Sequence, residues 1–387
     1  LYEKYMKKTK ILLIFISISS YLLSDSILSK DIINSIQYSK EKIETDTLKN
    51  NINWINPIQV KYYYKSNELI NSSATTISIN QPIFKSGGIY NAIKYSQSSS
   101  KYNNINLDIY KRNLIKKATS FLYYLNQTDI NIDKINKSIS NLKIEASRNK
   151  ELVFNGFLDV SFLNNSIIAL NKNKIALKDL KIQKEDLLLN FNNLSSVDYS
   201  SFLLPSSFSV LEFNDFIKNN TEVSKSKANE ESFKYLKKLS YSKYLPSVNL
   251  TYDYSNDHEI NLKTNTTGFN ISMPFDFKSV YDIQSSKIAY LKAKKDTDII
   301  KKEQEQLFNT IINKLNIIDS KIKIQETNIS YFNSLIKDMK ELVNNGIKTE
   351  EDLFILKNSR DIEKLNKKLF FIDKLLLILE LNSNTNT

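Results

Sequence analysis

Glu341-Leu-Val-Asn-Asn-Gly346, near the end of the chain, closely matches Glu151-Leu-Val-Phe-Asn-Gly156 in the first half. Each copy ends a long stretch, from about Gly88 to Asn155 and from about Lys278 to Asn345, whose interior contains neither glycine nor proline. Because glycine and proline are the strongest local breakers of regular structure, each stretch followed by Asn-Gly indicates a long helix and its end. The pattern predicts a unit of about 190 residues that occurs twice.

The prolines follow the same repeat. Pro57 and Pro82 precede the first long stretch with nearly the spacing at which Pro246 and Pro274 precede the second. We therefore expect three parts, namely upstream residues with a signal peptide over residues 1–26, a first structural repeat over 27–200 and a second over 201–387. Each repeat is predicted to contain a helix, a strand hairpin and a long helical hairpin.

The N-terminus has the features of a secretory signal peptide. Met6–Lys10 is basic, Ile11–Leu23 is apolar, and cleavage is expected after Ser24 or Ser26. The apolar run is too short to cross a bilayer as a helix, and no other run in the sequence is long enough. We expect Met6 to be the start and the protein to be exported without a helical membrane span. An uncleaved anchor or a buried helix is the alternative for this segment.

Lysine dominates the charge of the chain, whose formal net charge is +12. The lysines are scattered among acidic residues, and the only arginines are Arg112, Arg148 and Arg360. Nucleic-acid-binding proteins use clustered basic patches and arginine at base edges, so the sequence predicts a solvated surface and no nucleic-acid partner. Cysteine is absent and His258 is the only histidine, which excludes disulfides, thiolate metal sites and histidine clusters. We expect no catalytic, cofactor or metal site, and no enzymatic activity.

The second long stretch carries an apolar heptad repeat. Steps of four and three residues alternate without a slip, which is typical of coiled-coil packing. At 1.5 Å per residue, a helix of about 67 residues is about 100 Å long. Helices are expected to return over about 159–191 and 349–381, and shorter helices over about 30–50 and 210–242 precede the strands. The heptad positions are Ile311, Leu315, Ile318, Ile322, Gln325, Ile329, Phe332, Ile336, Met339 and Val343.

Four segments alternate between apolar and polar residues, which predicts strands with one apolar face. They form two pairs, joined by polar residues 66–74 and 256–267, so two hairpins are expected. The hairpins either pack on the helices or belong to an outer-membrane barrel, whose strands are apolar outside and polar inside. The apolar rows are Ile58, Val60, Tyr62 and Tyr64; Ile77, Ile79 and Ile83; Val248, Leu250, Tyr252 and Tyr254; and Phe269, Ile271, Met273 and Phe275.

Four strands are too few to close a barrel, because about eight strands are the smallest workable number. Open strand edges are not tolerated in lipid. If the strands span a membrane, several chains must therefore share one barrel, and a cyclic trimer would supply about twelve strands.

Together with the repeat and the signal peptide, several short motifs resemble the TolC-like outer-membrane efflux protein family over nearly the whole mature chain. Gln81–Gly88 resembles the strand-to-helix junction of the family, and Met273–Phe277 is a degenerate counterpart without the glycines. Trp54–Pro57 and Tyr244–Pro246 resemble the segments that lead into the first strand of each half. The two Asn-Gly motifs resemble the helix-turn-helix tips.

The resemblance implies an α+β membrane protein in which long antiparallel helical hairpins form a coiled-coil tunnel and four strands per chain contribute to a shared trimeric 12-stranded β-barrel. It implies a homotrimer in the outer membrane of a Gram-negative bacterium, with a large periplasmic part. The function implied is a passive exit duct for tripartite efflux or type I secretion. The implied partners are a periplasmic adaptor (membrane fusion) protein, outer-membrane lipid, and an inner-membrane pump contacted directly or indirectly. The transported substrate does not follow from the resemblance.

The resemblance also implies three sets of site residues: tips that dock the adaptor, acids that narrow the entrance, and apolar strand residues that face lipid. Asp352 matches an aspartate position of the family after the second tip, whereas the next such position is Ile355 here, with Glu350 and Glu351 as substitutes. These acids also fit a simpler role as charges at a helix N-terminus. The tip residues are Asn155, Gly156, Phe157, Asn345, Gly346 and Ile347, and the lipid-facing residues are Ile58, Val60, Tyr62, Tyr64, Val248, Leu250, Tyr252, Phe269, Ile271 and Met273.

A soluble periplasmic coiled-coil protein, structural or adaptor-like, is the alternative function. Such a protein should bury the apolar rows that begin at Ile58 and Phe269 against its helices. A channel should leave the same rows on the surface, where lipid would cover them.

Overall fold

The structure is a computed structural model that describes residues 27–66, 71–202, 204–205 and 207–386. The signal peptide predicted over residues 1–26 lies outside these ranges. Most of the described chain is helical. The helices are α1 (Lys30–Ile52), α2 (Gly88–Phe154), α3 (Val160–Asn192), α4 (Phe213–Asn219), α5 (Thr221–Ser242), α6 (Ser279–Asn344) and α7 (Glu350–Ser383), with a 3-10 turn at Tyr199–Ser201.

The two long helices and their returning partners are confirmed. Helix α2 has 67 residues and α6 has 66. The single helix predicted over 210–242 is wrong, because the chain forms α4 and α5 there. Asn220 separates them: it is fully buried, and its side chain accepts a hydrogen bond from the backbone N–H of Val223, which caps α5. Asparagine is among the best residues for this capping position.

Both long helices end in the same hydrogen-bonded turn. Gly156 and Gly346 adopt positive φ values of 75° and 72°, which a side chain would oppose. In the first turn, Phe157 N donates to Leu152 O at 2.8 Å and Gly156 N donates to Val153 O at 3.0 Å. The second turn repeats this pattern with Ile347 and Gly346 as donors. These are Schellman caps, which satisfy the last carbonyls of the helix and direct the chain into the returning helix.

The two helical hairpins contain equivalent ion pairs. Lys184 Nζ lies 2.6 Å from Asp129 Oδ1 in the first hairpin, and Lys374 Nζ lies 2.6 Å from Asp319 Oδ1 in the second. Both pairs join residues separated by 55 positions in the sequence. The Asp129 hydrogen bond raises the pKa of Lys184, although partial burial opposes the shift. The repeat seen in the sequence therefore extends to the contacts between helices.

The four strands form one antiparallel sheet in the order β1-β2-β3-β4. They are β1 (Gln59–Ser66), β2 (Asn71–Phe84), β3 (Ser247–Asp257) and β4 (Leu262–Ser272). The two predicted hairpins are present, and pairing of β2 with β3 joins them. The strands continue into the polar stretches predicted to connect them.

The registers align the predicted apolar rows on one face of the sheet. Val60 pairs with Ile77, which pairs with Tyr254 in the neighbouring strand. Leu250 pairs with Phe269. The placement of Ile83 in its row is wrong: the register shifts between Pro82 and Phe84, and Phe84 is the residue that pairs with Val248.

The chain divides into two compact units, each built from segments of both sequence halves. The first unit comprises the described residues of three segments: Leu1–Asn34, Lys111–Phe216 and Gln306–Thr387. Its core clusters include Ala118, Leu122 and Phe191, and separately Tyr123, Ile372 and Leu375. The second comprises Ser35–Tyr110 and Ile217–Glu305 and contains the sheet. The division into sequential repeats at residue 200 stays a prediction.

Candidate functional site

The apolar face of the sheet is exposed. Val60 is 68% exposed, Tyr62 66% and Phe269 72%, whereas Val248 and Tyr252 in the central strand β3 are half-buried. The other exposed strand members of the predicted lipid-facing set are Tyr64, Leu250 and Ile271. Ile58 and Met273 are exposed too, but they lie just outside the strands, because β1 begins at Gln59 and β4 ends at Ser272. Contiguous exposed apolar residues of this kind are typical of interaction or membrane surfaces.

The two edges of the sheet are open. Within the described residues, β1 and β4 each pair on one side only. Nearly every residue of both strands is exposed. An exposed edge strand is a template for pairing with another chain, which natural proteins block unless the edge is used.

Aromatic side chains cluster where the strands meet the helices in the second unit. Phe277 is 99% exposed and Phe275 89%, beyond the end of β4. Phe84, Tyr90 and Tyr281 are also exposed around the same strand ends. Aromatic residues at such a boundary are typical of the girdles that flank the apolar band of membrane barrels.

The helix tips present apolar side chains to solvent. Phe157 follows Gly156 and is 76% exposed, and Ile347 follows Gly346 and is 64% exposed. Asn155 and Asn345 are the last residues before these glycines in the caps described above. The structure thus places all six predicted tip residues in two equivalent turns.

Asp352 is held by two partners, Arg148 and Thr349. Its Oδ1 accepts a hydrogen bond from Arg148 Nη2 at 2.8 Å, and its Oδ2 accepts one from Thr349 N at 3.2 Å. Thr349 Oγ1 in return accepts from Asp352 N, which completes a capping box at the start of α7. Burial alone would raise the pKa of Asp352, but the hydrogen bonds from Arg148 and Thr349 outweigh it and hold that pKa below its usual range.

The neighbouring acids, Glu350 and Glu351, make fewer contacts than Asp352. Glu351 Oε2 lies 3.9 Å from Arg148 Nη2, and Glu350 is exposed. The sequence did not indicate Arg148 as a partner of these acids. The only sequence feature that pointed to Arg148 was that arginine is rare in this lysine-rich chain and that this one lies near the end of a long helix. The pairing joins the end of α2 to the start of α7, and hence the two helical hairpins of the first unit.

Two helices of the first unit carry exposed apolar stripes that the sequence analysis missed. We call the first the α3 stripe, with members 57–64% exposed: Ile168, Ile175, Ile182 and Leu189. The second, the α6 stripe, has members 56–63% exposed: Ile317, Ile324 and Tyr331. Both repeat every seven residues, as in a coiled-coil seam. The predicted heptad of α6 is a separate row, in which Ile311, Leu315 and Ile336 are buried.

In the described ranges, no group of three or more His, Asp or Glu side chains is arranged so that it could hold a metal ion. His258 Nε2 lies 2.9 Å from Thr75 Oγ1, and its ring stands 6.1 Å from the ring of Tyr62. His258 therefore takes part in the contacts at the end of the sheet. None of the described helices has the length and apolarity needed to cross a membrane.

Comparisons with known proteins identify the fold. No protein-family model and no curated protein matches the sequence. Solved structures do match: the outer membrane protein VceC of Vibrio cholerae has a TM-score of 0.76 at 10% identity, covering 95% of this chain and 96% of VceC. The CmeC outer membrane channel of Campylobacter jejuni has a TM-score of 0.71 at 12% identity, covering 94% and 84%. The open-state MtrE outer membrane channel of Neisseria gonorrhoeae has a TM-score of 0.66 at 9% identity, covering 91% and 85%.

The chain therefore has the fold of TolC-like outer-membrane channels. The resemblance drawn from the sequence motifs is confirmed at the level of fold, as is the fold class of long helical hairpins with four strands per chain. The matched proteins described here are outer-membrane proteins and channels.

Proposed function

We propose that this chain is one protomer of a passive trimeric exit duct in the outer membrane of a Gram-negative bacterium. The observation that carries the proposal is the sheet, whose predicted apolar rows lie on one largely exposed face and whose two edge strands pair on one side only within the described residues. In lipid every backbone polar group needs an internal partner, so the edges must pair with other copies. Three four-stranded sheets would form the 12-stranded barrel, with the apolar face toward lipid and the polar face lining the lumen.

The exposed helical stripes support the same assembly. The α3 stripe and the α6 stripe lie in different hairpins of the first unit, and each has coiled-coil spacing. In a cyclic trimer, the α3 stripe of one protomer packs against the α6 stripe of the next. Both stripes would then be buried around a closed ring, which would form the helical tunnel wall.

The tip residues are proposed as the docking surface for a periplasmic adaptor protein. Phe157 and Ile347 supply exposed apolar anchors on two equivalent turns, so each protomer would offer two similar contacts. The duct would work with an inner-membrane pump, directly or through the adaptor, in tripartite efflux or type I secretion. It performs no covalent chemistry in this scheme.

We assign the entrance gate to Asp352, with Glu351 and Glu350 adding charge. Because Arg148 and Asp352 join the two hairpins, their ion pair would hold the entrance closed. Asp352→Asn should raise the open probability of single channels in planar bilayers several-fold. A partly exposed ion pair contributes about 0.2–1 kcal/mol, and three copies act together.

The same gate should respond to acid. The pKa of Asp352 is lowered in the folded protein, so its stabilising contribution is complete above the unfolded pKa of about 3.9 and is lost as the pH falls through the folded pKa. Acidification below about pH 4 should therefore open the wild type and affect Asp352→Asn less. Asp338→Asn is the control, because Asp338 is exposed and has no ion pair among the described residues. Unchanged gating in Asp352→Asn would leave Asp352 with a capping role alone.

Fractionation tests the proposed function directly. The protein, expressed with residues 1–26, should be recovered from the outer membrane as a trimer and should form ion-conducting pores in planar lipid bilayers. Recovery in the soluble periplasmic fraction without detergent would instead establish the soluble coiled-coil alternative.

A further inference from the structure

A cavity of about 590 Å³ lies within the second unit, where the sheet meets the helices. Its walls come from the end of α1, the turn between β2 and α2, the end of α5 and the end of β4. Its apolar lining includes Trp54, Ile89, Leu239 and Met273. The cavity therefore has an apolar wall, and it lies near the strand ends where the exposed aromatic residues described above are found.

Two lysines give this cavity a positive charge. Lys85 and Lys243 both line it, and both are exposed. None of its described lining residues is acidic, and neither lysine forms an ion pair within the described part of the chain. Two cations beside an apolar wall suit a ligand with a negative group at one end and a hydrocarbon chain at the other.

A close helix contact shapes the cavity. A Cβ atom on Gly88 would lie 2.9 Å from Ser242 Oγ and 3.3 Å from Ser242 Cβ, so Ser242 or the start of α2 would have to shift to admit a side chain there. Both residues line the cavity. Ser86 Oγ donates to Pro246 O at 2.6 Å and ties the turn to the segment that follows α5. These contacts hold Lys85 and Lys243 on the same pocket.

We infer that this cavity binds a glycerophospholipid from the periplasmic leaflet of the outer membrane. Lys85 and Lys243 hold the phosphodiester, and an acyl chain lies along Trp54, Ile89 and Leu239. Lysine binds phosphate as a point charge, and aromatic residues favour the headgroup level of a bilayer. The inference rests on the proposed outer-membrane location, which supplies the lipid. Each bound lipid would anchor the junction of barrel and tunnel.

The test uses Trp54, the only tryptophan of the chain, as a reporter inside the cavity. The purified full-length protein in a neutral maltoside detergent is titrated with dioctanoyl phosphatidylglycerol, and its fluorescence is recorded. We expect a saturable change in the wild type and at least about tenfold weaker binding in Lys85→Gln/Lys243→Gln, since each lysine contributes a charge-assisted contact. Lys287→Gln/Lys294→Gln is the control, because both lysines are exposed and line no part of the cavity.

Three outcomes would overturn the inference. Equal binding by the wild type and Lys85→Gln/Lys243→Gln would remove the phosphate contact. If dioctanoylglycerol, which lacks the phosphate, binds as tightly as dioctanoyl phosphatidylglycerol, the phosphate contact is likewise ruled out. If inorganic phosphate binds as tightly as that lipid, the apolar wall has no role in binding. Ala92→Phe should also weaken binding by filling the cavity while both lysines remain. Circular dichroism checks folding, and fractionation separately reports on the proposed channel, so the two failures are distinguishable.

Discussion

Leu250→Lys/Phe269→Lys is expected to remove the protein from the outer-membrane fraction. The two residues pair across β3 and β4 on the apolar face, so both lysines would face lipid in the proposed barrel. A lysine on the lipid face costs about 2–4 kcal/mol near the bilayer midplane, and a trimer would contain six of them. The measurement is the amount of trimer in outer membranes, compared with the wild type by immunoblotting.

The matched control places the same two charges on the opposite face. Asn249 and Asn270 also pair across β3 and β4, one residue away from the first pair along each strand. Asn249→Lys/Asn270→Lys should insert normally and change the ion selectivity of the pore, because these positions would line the lumen. If both double variants insert equally well, the apolar face is not in lipid and the proposed barrel is wrong.

Ile175→Glu/Ile182→Glu is expected to abolish the trimer while leaving the protomer helical. These residues lie in the exposed α3 stripe, so the folded protomer loses little packing. Burying an isoleucine contributes about 1.5–3 kcal/mol, and the loss would recur at three interfaces, with a buried carboxylate added at each position. Native mass spectrometry of the detergent-solubilised protein measures the change.

Lys174→Glu/Lys181→Glu provides the control for charge on the same helix. Both lysines are exposed, and each precedes a member of the α3 stripe by one residue, which places it about 100° away around the helix. Trimers should persist in this variant. Intact trimers in Ile175→Glu/Ile182→Glu would show that the α3 stripe is not an interface between copies, and the proposed tunnel wall would need another pair of surfaces.

The regular elements follow from local sequence. Long helices form where breakers are absent, and they end at Gly156 and Gly346 because only glycine adopts the positive φ of the cap without strain. The alternating segments became strands for an equally local reason, since a period of two places one set of side chains on each face. The assigned roles of the tips, the gate and the lipid-facing residues remain predictions.

Other features depend on contacts between distant segments. The shift at Pro82 cannot be read from alternation, because it is defined by how β2 pairs with β3. Gly87-Gly88 occurs in the first half alone, and the structure gives a reason: Gly88 packs against Ser242. The partnership of Arg148 with Asp352 joins residues that are 204 positions apart.

The sequence by itself determined the two long helices, their glycine-capped ends and the two-faced strands, because each depends on residues within a few positions of one another. Only the tertiary structure decided which apolar residues remain uncovered. The heptad row of α6, which is buried or half-buried, and the exposed α6 stripe have the same seven-residue period, so periodicity cannot distinguish them. Packing within the protomer covers the heptad row. It leaves the α6 stripe uncovered, together with the apolar face of the sheet and the two sheet edges. Those uncovered surfaces are what support a lipid-embedded assembly of several copies.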